Sequence, residues 1–137
     1  MFTSDTDRRS CIKQAAGTGA GAAFTALFGG IYELFSHSVY SYFMIYAFAP
    51  LMIMSIVYVY WGGFSKRPPK RAARNLFTAS AACCSVGMLA AGVVIIYGST
   101  NKLLIGYYFL AGATFIAALI AHLADRISTN ATPSENV

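Results

Sequence analysis

A chain of 137 residues with 57% hydrophobic residues, 11% charged residues and a mean hydropathy of +0.57 holds less than half the charge of a soluble domain, which is about 25%. A water-soluble fold of this size exposes too much surface to hide so many apolar side chains. A soluble enzyme domain, a disordered segment and a disulfide-rich secreted module are therefore excluded, and an integral membrane domain is expected.

The first 13 residues form a basic tail with Arg8, Arg9 and Lys13. Arg8-Arg9-Ser10 before an apolar run resembles a twin-arginine export signal. That run continues to Phe35 without a cleavage site, longer than a signal core of about 7–15 residues. The arginines therefore read as the flank of a retained first span. Four stretches reach the roughly 20 residues that a spanning helix needs, at 14–35, 39–61, 76–97 and 103–123. The alternation of a spanning β-barrel is absent from them, and a helix satisfies its own backbone in hydrocarbon.

In the first span a stripe of Ala15, Gly19, Ala22, Ala26, Gly29 and Glu33 should face protein, opposite Phe24, Leu27, Ile31 and Leu34. Gly17-Thr18-Gly19-Ala20-Gly21 has no preceding strand, so it reads as helix packing and not as a phosphate loop. Glu33 and His37 are the ionisable groups at the span's end, four residues apart and within contact range on a continuous helix. Ser36–Ser38 then makes a tight turn. The second span is rich in Met, Tyr and Phe, and Pro50 predicts a kink through crowding of the Tyr46 carbonyl. Tyr40 and Tyr42 begin it and Tyr58, Tyr60 and Trp61 end it, as an aromatic belt would.

The central loop SKRPPKRAARN (65–75) supplies Lys66, Arg67, Lys70, Arg71 and Arg74, expected to contact anionic lipid. Beside a membrane this run is an orientation signal, and no nucleic-acid partner is expected. In the third span Ser80, Cys84, Gly87 and Ala91 oppose Val86, Leu89, Val93 and Ile96. Gly98–Lys102 is a second short turn. The fourth span sets Gly106, Ala113 and Ala117 against Ile105, Phe109, Ile116 and Leu119. The tail, 124–137, carries Arg126. Every Lys and Arg except Lys102 thus falls on one side, which the positive-inside rule makes cytoplasmic.

Both short turns then share the outer surface, where Glu33, His37, Ser41, Tyr97 and Asn101 form a candidate ligand or partner site. One His and one carboxylate are too few for a typical zinc site. Cys11, Cys83 and Cys84 form no Cys-x-x-Cys pair, and His122 reads as an interfacial residue and not as a haem ligand. No metal or cofactor is expected, and no nucleophile, zinc or nucleotide motif is present.

The stretches IYELFSHSVYSYFMIYAFAP (31–50) and YGSTNKL (97–103) resemble a group of small four-span bacterial integral membrane proteins, over most of residues 25–122. The resemblance implies architecture and no mechanism. Size and span number also resemble the small multidrug resistance transporters, whose first helix carries a membrane-embedded Glu. Here Glu33 lies near a span end, and the one-sided charge opposes dual-topology insertion.

The expectation is an all-α, up-down four-helix transmembrane bundle in the cell membrane, with both termini cytoplasmic. It would be a non-enzymatic, transport-related or accessory subunit. Its partners would be the lipid bilayer and either a second copy or another membrane protein. The alternative is a small oligomeric proton-coupled transporter that uses Glu33.

Overall fold

The computed structural model of the chain describes residues 2–35, 41–65, 68–98 and 102–131, with side chains placed for 5–35, 41–65, 68–98 and 102–128. These residues form helices α1 (Phe2–Phe35), α2 (Tyr42–Ile45), α3 (Ala49–Gly63), α4 (Arg71–Ile96) and α5 (Leu104–Ala131), with no strand among the described residues. Asp5 sits in the first turn of α1, where a carboxylate complements the partial positive charge of a helix N-terminus. The helix therefore starts well before the expected span and is 34 residues long. Similarly, α4 begins at Arg71 with Lys70 as its N-cap, just past Pro68-Pro69, which a helix interior cannot accept.

Among the described residues, three helices are long and apolar enough to cross a membrane: Tyr42–Gly63, with α2 and α3 taken as one, Arg71–Ile96 and Leu104–Ser128. The expected first span lies within α1, whose Gly, Ala and Thr interior leaves it outside that set.

The second span is broken where Pro50 predicts. The chain turns over Tyr46–Phe48, and Pro50 occupies the first turn of α3. Because Pro50 has no N–H, the Tyr46 carbonyl accepts from Ala49 at 2.9 Å.

α1 packs along α3, α4 packs along α5, and α3 and α2 join the two pairs through α4. The start of α1, the end of α3, the start of α4 and the end of α5 meet at one end, called here the basic end. Small residues bring the helices together. On α1, Ala15, Ala22 and Gly29 are buried, whereas Phe24, Leu27, Ile31 and Leu34 are exposed, as expected; Ala26 is exposed. A Cβ on Gly29 would lie 2.9 Å from the Met44 carbonyl oxygen, and one on Gly92 would lie 2.8 Å from the Met44 Cβ. Met44 of α2 is thus wedged between glycines of α1 and α4. On α4, Ser80, Gly87 and Ala91 are buried and Cys84 is half-buried.

The expected face of α5 requires correction. Gly106, Ala113 and Ala117 are exposed, and Ala111 and Ala118 are buried instead. The register is set by α4, where Ser80 Oγ donates to the Ala111 carbonyl at 2.7 Å and Gly87 lies against the Tyr107 Cβ.

Candidate functional site

At the basic end, side chains of three helices converge on Arg74, whose side chain is only 3% exposed. Its Nε donates to Gln14 Oε1 at 3.2 Å, and its Nη1 donates to the Pro69 carbonyl at 3.3 Å. The same Nη1 lies 3.7 Å from the Asp7 carboxylate and 3.8 Å from Cys11 Sγ. An arginine stays charged at any accessible pH, and burying that charge is costly without pairing. Here one carboxylate and several acceptors from α1 and the Pro69 carbonyl compensate it.

A second chain of hydroxyls lies beside it. Gln14 Nε2 donates to Thr78 Oγ1 at 2.9 Å, Thr78 lies 2.8 Å from the Tyr58 hydroxyl, and Tyr58 donates to the Arg74 carbonyl at 2.7 Å. The i, i+4 spacing of Arg74 and Thr78 puts both on the face of α4 that meets α1 and α3. Ser55 adds a bond from α3 to the Ala15 carbonyl of α1 at 2.8 Å. Burial pushes the Cys11 thiol above its ordinary range, opposed by the Arg74 guanidinium. The cluster is filled by its own side chains, so it acts as a clamp on α1, α3 and α4.

Two further contacts close this end. Arg8 donates from Nε to the Gly62 carbonyl at 3.0 Å and from Nη2 to the Gly63 carbonyl at 2.7 Å. Those carbonyls belong to the last turn of α3, which has no intrahelical donors left. Lys70 pairs with Asp125 of α5 at 2.8 Å. Trp61 lies against Tyr58, Phe77 and His122, with ring centroids 5.6–6.0 Å apart.

The expected lipid-contact set therefore divides. Arg71 is exposed, Lys70 is exposed but paired with Asp125, and Arg74 is withdrawn into the protein, contrary to the expectation of a lipid contact. Lys66 and Arg67 lie outside the described residues. Tyr58, expected in the aromatic belt, is fully buried because its hydroxyl is spent on α4.

At the far end, Glu33 is half-buried on α1 and Ser41 is buried at the start of α2. Tyr97 is 77% exposed at the end of α4. His37 and Asn101, the remaining members of the expected outer cluster, lie outside the described residues. The Ser41 and Ser85 hydroxyls are buried without a hydrogen-bond partner among the described residues.

Sequence reasoning missed the convergence on Arg74. Its polar members, Asp7, Gln14, Tyr58 and Thr78, are scattered over more than 70 positions of the chain, so local spacing gives no sign of it. No group of three or more His, Cys, Asp or Glu able to hold a metal occurs among the described residues. No protein family, curated protein or solved structure matches the chain.

Proposed function

We propose that the chain is a four-span, non-enzymatic membrane protein with both termini in the cytoplasm, working as a transport-related or accessory subunit. The observation that carries the membrane reading is the distribution of side-chain size. Phe24, Leu34, Phe109 and Ile120 are 62–84% exposed, while Ala15, Ala73, Ala111 and Ala118 are at most 7% exposed. Water would favour the reverse, whereas hydrocarbon accepts bulky apolar groups and rewards close backbone approach between helices.

Counting α1 as the fourth span is supported by its packing against α3 and by its exposed face of Phe24, Leu27 and Ile31. Orientation is supported by the gathering of Arg8, Lys70, Arg71 and Arg74 at one end. Glu33, Ser41 and Tyr97, with His37 and Asn101, are the residues through which a ligand or partner would be met on the outer face. The accessory role is tested by isolating the protein in mild detergent and identifying what stays bound. A membrane protein retained by the parent and lost from Glu33→Gln supports the role. A purified protein that alone drives substrate-dependent proton movement in vesicles refutes it.

A further inference from the structure

A groove of about 690 Å³ opens at the basic end, lined by Asp5, Thr6, Arg8, Arg9, Ile12 and Gly62. Asp5, Arg8, Arg9 and Ile12 follow i, i+3, i+4, i+7 spacing, which places them on one face of α1. Gly62 of α3 forms the opposite wall. A Cβ there would lie 3.1 Å from Ile12 Cγ1, so the glycine keeps the two helices at their present separation. The groove is lined by two guanidinium groups and one carboxylate, an excess of positive charge.

Arg8 is held in place by its bonds to the Gly62 and Gly63 carbonyls, which use Nε and Nη2. Its guanidinium is therefore oriented before any ligand arrives, with Nη1 outside those two bonds. Arg9 is exposed beside it. Apolar surface lies next to this charge, since Ile12 is 55% exposed and Phe64, just past Gly62-Gly63, is 80% exposed. Adjacent guanidinium and apolar surface match a molecule that joins a phosphodiester to an acyl chain.

We infer that this groove binds the phosphodiester headgroup of an anionic phospholipid, with Arg8 and Arg9 on the phosphate and Ile12 against the lipid's apolar part. The inference rests on the membrane reading above, which sets the groove at headgroup depth. It differs from general attraction to the basic loop, because a built groove ties selectivity to particular side chains. Arginine suits the task since its planar fork meets two phosphate oxygens at once.

The test uses the full chain in detergent, with lipid adducts counted by native mass spectrometry as phosphatidylglycerol or phosphatidylcholine is titrated. The parent should retain phosphatidylglycerol preferentially, and Arg9→Gln should weaken that retention roughly fivefold, the value of one basic residue. Lys13→Gln removes the same charge from an exposed position outside the groove and should keep the preference. Asp5→Asn, which takes a negative charge from the wall, should strengthen retention, so a folded variant with the opposite sign is also available.

Equal losses in Arg9→Gln and Lys13→Gln would mean diffuse attraction and would overturn the inference. So would displacement of the lipid by glycerol phosphate at matching concentration, which would mark a site for soluble phosphates. Incorporation into phosphatidylcholine vesicles is measured alongside. A protein that inserts but shows no headgroup preference refutes the groove alone, whereas one that does not insert refutes the membrane reading with it.

Discussion

Gly29 and Cys11 show how much a single position can control. A side chain on Gly29 would meet the backbone oxygen of Met44, which cannot rotate away as a flexible side chain could. Gly29→Leu should therefore lower stability by about 1–3 kcal/mol, as overpacking does, read as a fall in melting temperature in detergent. Leu27→Ala, on the exposed face, should cost less than about 0.5 kcal/mol because lipid or detergent refills the space. Cys11 is fully buried beside Arg74, and burial raises its pKa. The folded chain keeps the thiol protonated at a pH where the unfolded chain has begun to lose the proton. Stability from this residue is thus complete below the ordinary thiol range near 9 and declines as pH rises through it. Melting temperatures of the parent should fall faster than those of Cys11→Ala above about pH 9, and maleimide should reach Cys11 only after unfolding.

Between helices, the decisive features are narrow lines of small and polar residues. α5 meets α4 along Ala111 and Ala118, with the Ser80 bond to the Ala111 carbonyl at 2.7 Å. Ser80→Ala should loosen this pair by roughly 0.6 kcal/mol, the average for such bonds in membranes, whereas Ala117→Leu on the exposed side should be neutral in melting temperature. The faces of α1 and α4 were legible in large part because each sets small residues opposite bulky ones, although Ala26 is exposed and Leu89, Val93 and Ile96 of the expected outer face of α4 are half-buried. The break at Pro50 was legible because a missing N–H is a local property. The face of α5 was not, since two neighbouring lines of small residues run along it and only the position of α4 chooses between them. Arg74 was misread for a related reason. A basic residue in a basic loop looks solvated until Asp7, Cys11 and Gln14 arrive from 60 or more positions away.

Across the whole molecule, charge and clamp coincide. The end that gathers the arginines is also the end where α1, α3 and α4 are tied by side-chain bonds to backbone carbonyls. Reporter fusions after Asn75 and Val137 should read cytoplasm, and one after Ser99 should read the outside. An outside signal at Asn75 would reverse the orientation and remove the outer-face site with it. Arg74→Met keeps much of the volume but leaves Gln14 and the Pro69 carbonyl without their donor. It should cost about 1–3 kcal/mol and increase proteolysis at the basic end.

Trp61 is the chain's single tryptophan, and it touches rings from α3, α4 and α5 at once. The protein therefore carries an intrinsic optical gauge of its own assembly. Protonated imidazole quenches indole emission on contact, so fluorescence should step down as His122, 5.6 Å away, takes up a proton. In His122→Gln that step should vanish while the emission wavelength stays that of the parent. Separation of α5 from α4 should shift the emission to the red, which allows the assembly of these three helices to be followed in a spectrometer without any label.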